Sequence, residues 1–217
     1  MRLIGMLDSP YVRRTAISLA CLGVPFTHEA VSVISTFEQF KRINPVVKAP
    51  TLVCDDGAVL MDSSLIVQFA EAALSDGRSL WPADAQALQG DMRAVGLALA
   101  ACEKAVQTIY ERKLRPADKQ HEPWLVRVHT QLAAALQGLE HEVATRADTF
   151  GQAGQPPLLN QASVTAAVSW QFIHETSPEV ATAEAHPALA ALSERMEATE
   201  VFQRFPPVGP GVNPPQT

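Results

Sequence analysis

Cysteine is scarce in this chain: Cys21, Cys54 and Cys102 are the only three in 217 residues, far apart and without a C-x-x-C spacing. That count excludes a disulfide framework and leaves three thiols in apolar surroundings, as expected in a reducing cytoplasm. No stretch approaches the roughly 18 uncharged apolar residues that a membrane-crossing helix requires. The first nine residues hold one Arg, a five-residue apolar run and then Asp8, too little for a secretory signal. Basic charge is also short, with 17 Lys and Arg against 23 Asp and Glu and a net charge of -6. Nucleic acid and anionic membrane both demand clustered positive charge, so neither is expected as a partner. The six histidines are scattered, without H-E-x-x-H or another compact ligand spacing, and no metal is expected.

What is present is the composition of a folded globular chain, 47% hydrophobic and 18% charged, with two different periodicities in its two halves. In the first 75 residues short apolar runs alternate with helical spacing. Residues 2–6 read as a buried strand. Residues 10–22 read as a helix through Val12, Ala16, Leu19 and Ala20, and 26–31 as a second strand. A short helix is predicted over 37–43, ended by Asn44-Pro45. Strands at 51–54 and 58–60 flank Asp55-Asp56-Gly57, a tight hairpin with positive φ at Gly57. Asp62-Ser63-Ser64 then opens a helix with Leu65, Ile66, Phe69, Ala70, Ala73 and Leu74 on its apolar side. The order is β-α-β-α-β-β-α. A crossover helix implies that the first two strands run parallel, and the hairpin implies an antiparallel edge.

Beyond a linker containing Asp76-Gly77 and Trp81-Pro82 the strand pattern stops. Leu88, Met92, Val95, Leu99, Cys102, Val106 and Ile109 recur at steps of four and three, one long amphipathic helix. Residues 116–123 interrupt it. Leu125, Val128, Leu132, Leu136, Leu139 and Val143 form a second long helix, and shorter helices are expected around 164–174 and 187–196. Five of the sixteen prolines fall after Phe205, so the tail is expected to lack regular structure. The expected organisation is an α/β domain over 1–76, a linker over 77–85, an all-helical domain over 86–205 and a Pro-rich tail over 206–217.

Three stretches carry possible chemistry. Ser9-Pro10-Tyr11-Val12 directly follows the first strand. Ser at the N-cap with Pro at the first helical position is an ordinary helix start. The same hydroxyl, at a helix N-terminus beyond a parallel strand, also points into the crevice where α/β sheets bind ligands. A thiolate there would meet the hydroxyl and the positive helix end together. In the second stretch, Asn44 to Leu52, Pro50 precedes a strand and is either an ordinary trans turn or a cis bond that turns the Ala49 backbone out of the sheet. Lys48 alone reads as solvated surface. In the third, Asp62-Ser63 is either a cap or an anion site at a helix N-terminus. There the carboxylate of Asp62 suits an ammonium group. Leu65 and Ile66 stand where a capping-box Glu or Gln would be, which leaves the N–H groups less fully claimed.

Together these stretches resemble the glutathione S-transferase family, in particular its bacterial serine-type members. Ser9-Pro10-Tyr11-Val12 is similar to the glutaredoxin C-P-Y-C motif with both sulfurs removed, so dithiol–disulfide chemistry is not available there. Leu7-Asp8-Ser9-Pro10-Tyr11-Val12-Arg13-Arg14 resembles the family's run at this point. Asn44-Pro45-Val46-Val47-Lys48-Ala49-Pro50-Thr51-Leu52 resembles N-P-x-x-x-V-P-x-L with Ala49 in place of valine, and Asp62-Ser63-Ser64-Leu65-Ile66 resembles E/D-S-x-x-I. The resemblance extends to Phe205 and implies a thioredoxin-like N-terminal domain (βαβαββα) followed by an all-helical C-terminal domain.

The resemblance also implies roles. Ser9 would donate a hydrogen bond to the glutathione sulfur, and Ala49 would pair with the cysteinyl backbone. Lys48 would meet the glycyl carboxylate, and Asp62 and Ser63 would hold the γ-glutamyl end. The implied activity is conjugation of glutathione, the co-substrate, to a small hydrophobic electrophile lying between the domains against the helix over 88–114. Tyr110 is a candidate wall residue there, although its spacing equally makes it a core or interface residue. A homodimer is implied as well. Rival readings are a glutathione-dependent reductase, peroxidase or isomerase, or a non-catalytic glutathione- or partner-binding module. The isomerase run S-S-C-x-x-R is not matched by Asp8 to Arg13, and the reductases more often use a cysteine near Ser9. One departure stands out: the family often shows S/T-x-x-D at the start of a late helix, whereas Ser163-Val164-Thr165-Ala166 lacks the acid. A capping interaction worth on the order of 1 kcal/mol is therefore in doubt.

Overall fold

Three-residue strands build the sheet. In the computed structural model, which describes residues 1–152 and 154–212, β1 (Arg2–Ile4) pairs parallel with β2 (Thr27–Glu29) and antiparallel with β3 (Thr51–Val53). β4 (Val59–Leu60) pairs antiparallel with β3, giving the order β2-β1-β3-β4. The sequence expectation of a parallel first pair and an antiparallel hairpin edge holds, with Gly57 at φ +88° in the turn. The strands are shorter than the apolar runs because the runs outlast the ladder. Val31 is buried beside Ile4 and Phe40 without being paired in the sheet.

Helices cover the sheet: α1 (Pro10–Cys21), α2 (Phe37–Ile43) and α3 (Ser63–Ala73). Phe40 of α2 closes one cluster with Ile4 and Val31. α1 packs on α3, and each brings a buried stripe, Val12, Ala16 and Leu19 from one and Ile66, Val67 and Ala70 from the other. Each large apolar side chain removed from water contributes about 1.5–3 kcal/mol before the entropy of ordering the chain is subtracted. The result is a thioredoxin-like four-stranded mixed sheet with helices.

The chain divides into two units, Met1–Leu80 together with the segment from Glu200, and Trp81–Thr199. The return from Glu200 is made by a short helix, α9 (Glu200–Gln203), which packs on α1. Its four residues are too few to show a period in the sequence. The Pro-rich tail lies in part outside the described residues, at 213–217. Residues 206–212 form no helix or strand, but Gly211 N–H donates to the Asp8 carboxylate at 2.8 Å.

The second unit is helical: α4 (Ala85–Lys113), α5 (Glu122–Thr145), α6 (Ala147–Phe150), α7 (Gln161–Thr176) and α8 (Pro187–Glu197). α4 packs against α5 and α7, and α8 against α5 and α7. α7 runs longer than the expected 164–174 because it is buried almost all round, from Gln161 through Trp170. A helix without a wet face gives no amphipathic period to read.

The doubtful cap at Ser163 is corrected by the structure. The N-cap is Asn160, whose Oδ1 accepts from Ser163 N–H at 2.8 Å, while the Asn160 N–H donates to Ser163 Oγ at 3.2 Å. The reciprocal box is thus closed by Asn and Ser rather than Ser and Asp. α8 lacks a local side-chain cap, since His186 supplies none. Glu140 of α5 accepts instead from the Ala188 and Leu189 N–H groups at 2.8 and 2.9 Å, a carboxylate placed on a positive helix end.

Candidate functional site

The ladder itself gathers the three sequence motifs at one end of the sheet. Ile4, the last residue of β1, stands opposite Thr51, the first of β3, and Leu60 at the end of β4 stands opposite Leu52. The chain therefore enters α1, leaves the Ala49-Pro50 turn and enters α3 from the same edge. A Cβ built on Gly5 would collide with the Val12 side chain and lie 3.4 Å from the Ala49 Cβ. Only glycine allows that approach of the β1 end, α1 and the Ala49 turn.

Ser9 is the N-cap residue of α1, with Pro10 beginning the helix. Its side chain makes no cap hydrogen bond; the backbone C=O accepts from Arg13 N–H at 2.9 Å and the N–H donates to Met6 C=O at 3.1 Å. The half-buried hydroxyl is thus held at a helix N-terminus by backbone contacts and is not spent on the helix. Arg13, in the next turn, is fully buried and points its guanidinium at the Phe202 ring, 5.3 Å from the centroid.

The Ala49–Pro50 bond is cis, and β3 begins only at Thr51, so Ala49 lies outside the ladder. The turn is pinned from behind: Asn44 Nδ2 donates to Thr51 Oγ1 at 2.9 Å, and Thr51 Oγ1 donates to Lys48 C=O at 2.6 Å. Lys48 is exposed and Ala49 half-buried along this turn, with the Ala49 side chain packed beside the Ile4, Val31 and Phe40 cluster.

At α3 the two readings of Asp62-Ser63 separate residue by residue. Asp62 is the N-cap, and one carboxylate oxygen accepts from Ser64 N–H at 3.0 Å and Leu65 N–H at 3.4 Å. The N–H groups expected to be less fully claimed are therefore taken by Asp62 itself, because a one-residue Asx cap needs no partner three positions on. Ser63 is buried, and its hydroxyl accepts from Arg14 Nη1 at 3.1 Å; Ser64 Oγ accepts from the same nitrogen at 3.3 Å. Arg14 is buried too, at 2% exposure. A guanidinium held in place beneath a helix N-terminus concentrates positive charge there. Sequence reasoning assigned Arg14 no role. The available signal was its spacing: Arg14 lies one turn from both Pro10 and Ser18, on a face of α1 that is carried into the interior.

In the helical unit, an open cavity of about 500 Å³ lies at the C-terminal end of α4, lined by Gln107, Tyr110, Leu114, Pro116 and Trp124. Tyr110, Leu114 and Trp124 each keep more than a third of their surface exposed. Burial pushes the Tyr110 phenol up from its ordinary value, so it remains a hydrogen-bond donor at neutral pH. The two charged lining residues, Glu111 and Arg115, are paired at 2.8 Å, and Glu111 also accepts from His121 N–H. The His121 N–H and then the Arg115 guanidinium hold the Glu111 carboxyl below the usual range. Among the described residues no group of three or more His, Cys, Asp or Glu is placed to hold a metal, and no helix is long and apolar enough to cross a membrane.

Residues 3–77 match the glutathione S-transferase N-terminal domain. Over 210 residues the chain is 24% identical to the uncharacterized GST-like protein YibF of Escherichia coli K12, covering 95% of this chain and 98% of that one. A glutathione S-transferase of Methylobacterium radiotolerans, solved with glutathione sulfonate, is 28% identical and superposes with a TM-score of 0.80, covering 100% of this chain and 96% of the other. A glutathione transferase family member of Pseudomonas fluorescens Pf-5 with bound glutathione shares the fold at a TM-score of 0.79 and 24% identity, with 99% of each chain covered.

Proposed function

The chain belongs to the glutathione S-transferase family, and from that premise we propose that it binds glutathione in the N-terminal unit, favours its thiolate and conjugates it to a small electrophile. The observation that carries this reading is the convergence of Ser9, Ala49-Pro50 and Asp62-Ser63 at one end of the sheet. It is supported by relatives of the same fold solved with glutathione or glutathione sulfonate.

Each part of the tripeptide has a matching group. The cysteinyl backbone pairs with Ala49, which the ladder leaves outside the sheet. The γ-glutamyl carboxylate is drawn to the Ser63 hydroxyl and the charge of Arg14 behind it, and its ammonium group to the second oxygen of Asp62. Lys48 attracts the glycyl carboxylate. The thiol sits at the Ser9 hydroxyl, whose freedom from capping lets it donate.

The size of the effect follows from general values. A cysteine-type thiol has a pKa of about 8.5. A hydrogen bond to a charged group contributes about 1.5–3 kcal/mol and a helix end about 0.3–1. Discounted for the half-exposed position of Ser9, that lowers the thiol pKa by about one to two and raises the thiolate fraction on the order of tenfold. The gain in rate is smaller, because nucleophilicity falls as the pKa falls. Positioning of the electrophile must supply the rest. In the helical unit the cavity offers apolar surface from Tyr110, Leu114, Pro116 and Trp124 with polar groups beside it, a lining suited to a small hydrophobic electrophile.

The test is conjugation measured across several electrophiles. Ser9→Ala is expected to raise the kinetic pKa of the bound thiol and to lower kcat/KM at neutral pH by about 3- to 5-fold, less than the loss of thiolate. Undiminished conjugation in that variant overturns the role of Ser9.

We further propose a homodimer, favoured by one observation. α3 buries Ile66, Val67 and Ala70 on one side, yet leaves Leu65 and Phe69, one turn apart, exposed at 57% and 37%. Val59 of β4 is exposed as well. Sedimentation at 23.4 kDa rather than twice that mass counts against it, and Phe69→Glu is expected to shift a dimer toward monomer.

A further inference from the structure

An acid stands next to Ser9, and that is electrostatically awkward. Asp8 precedes the hydroxyl assigned to a thiolate, and a second negative charge there disfavours the thiolate form. The structure shows where the Asp8 carboxylate goes. It is taken up by the returning C-terminal segment: Gly211 N–H donates to Asp8 Oδ2 at 2.8 Å, and the carboxylate lies directly against the Gly209 backbone. A Cβ at Gly209 would collide with both carboxylate oxygens, so a larger residue there would have to displace the Asp8 side chain.

The segment is anchored independently of Asp8. Arg13 Nε donates to Phe205 C=O at 2.8 Å in a buried contact, and its guanidinium faces the Phe202 ring. Phe205 stacks on Phe26, with ring centroids 5.8 Å apart and planes at 21°. α9 packs on α1, the helix that Ser9 begins. Residues up to Phe205 are thus fixed by buried contacts, and residues 206–212 extend from that fixed point to the loop bearing Asp8.

We propose that residues 206–212 act as a strap that holds the Asp8 carboxylate on the Gly209–Gly211 backbone and thereby keeps its charge away from the thiol site at Ser9. Asp8 and Gly211 are positioning residues: neither touches the sulfur, and both act through the environment of Ser9. The inference rests on the glutathione reading given above. It assigns a role to a Pro-rich tail that the sequence marks as lacking regular structure, and a reason for glycine at Gly209.

The experiment uses the full chain, a deletion of residues 206–217, Gly209→Val in the full chain, and each of these combined with Asp8→Asn. The deletion leaves Phe202 and Phe205 in place, so the anchors remain, and circular dichroism checks that the fold is retained. The readouts are the thiolate ultraviolet absorbance of bound glutathione against pH and the KM for glutathione. Deletion and Gly209→Val are both expected to raise the pKa of the bound thiol by about 0.5–1, the scale of one partly screened charge at short range. KM is expected to rise by about 3- to 10-fold. Adding Asp8→Asn, which removes the charge and keeps the side-chain shape, should restore the thiol pKa. A purely structural tail would not give that rescue. If the full chain binds glutathione and neither the deletion nor Gly209→Val moves the thiol pKa, the strap is overturned while the glutathione site stands. A shift that Asp8→Asn fails to reverse overturns the electrostatic role of Asp8. If the full chain itself takes up no glutathione, the strap falls together with the reading it rests on.

Discussion

Arg14 of α1 donates through Nη1 to the Ser63 hydroxyl at the first turn of α3, at 3.1 Å, with both residues buried. The contact joins the helix that begins at Ser9 to the helix that begins at Ser63, and it places a fixed positive charge where the γ-glutamyl carboxylate of glutathione is proposed to bind.

Arg14→Ala is therefore expected to act twice. It removes a buried guanidinium and leaves a cavity with two hydroxyls lacking that donor, lowering stability by about 2–4 kcal/mol. It should also weaken glutathione binding by at least about tenfold. Arg14→Lys keeps the charge on a shorter side chain than the one whose Nη1 reaches both Ser63 and Ser64, so it should recover part of the affinity. Denaturant unfolding and a glutathione titration of the three proteins separate the two effects. Equal affinity in all three would contradict a role at the site.

The cap of α7 is testable by stability alone. Asn160 accepts from Ser163 N–H and donates through Nδ2 to Thr149 C=O at 2.7 Å, linking α6 to α7. Asn160→Ala is expected to cost about 1–2 kcal/mol. Asn160→Asp keeps the acceptor and loses the Thr149 contact, and should fall between. Urea unfolding midpoints check the order, and no loss in Asn160→Ala would remove the cap from the account.

Much of this fold was legible because its elements have one wet face. The long helices α4 and α5 showed their period through Val95, Cys102, Leu132 and Leu139, and the helix at Phe37–Ile43 was bounded by Asn44-Pro45. What was not legible arises from contacts distant in sequence. Glu140 capping α8 from 48 residues away leaves no local trace. Neither does the return of α9 to α1, nor the tail amide on Asp8, 203 residues apart. The motifs single out Ser9, Ala49 and Asp62-Ser63 as candidates, but burial of Arg14 beneath Ser63 emerges only once α1 and α3 are packed. Asp62 was ambiguous in the sequence because capping and ligand binding use the same atoms.

The corner between α4 and α5 should respond to acid. The His121 N–H and Arg115 hold Glu111 low, and Arg112 holds Glu122 low through a side-chain hydrogen bond. Carboxyls whose folded pKa is depressed contribute stability that is present above the unfolded value of about 4.3 and is lost as pH falls through the folded values. The wall of the Tyr110 cavity is thus expected to loosen below about pH 4. Trp124 emission against pH, compared with Glu111→Gln and Glu122→Gln, should show the transition in the parent chain and a weakened one in each variant. Identical acid profiles in all three would contradict the assignment.

The edge of the sheet between Ser9 and Ser63 is proposed to hold glutathione, and everything else in the functional account depends on it. Its most direct test is calorimetric titration of the purified chain with reduced glutathione, run beside Ser63→Ala, a substitution small enough to keep α3 folded. Saturable binding is expected in the micromolar to millimolar range, weakened by at least about tenfold in the variant as a charge-assisted contact is lost. Absence of binding by the parent chain, or equal binding by Ser63→Ala, would contradict it.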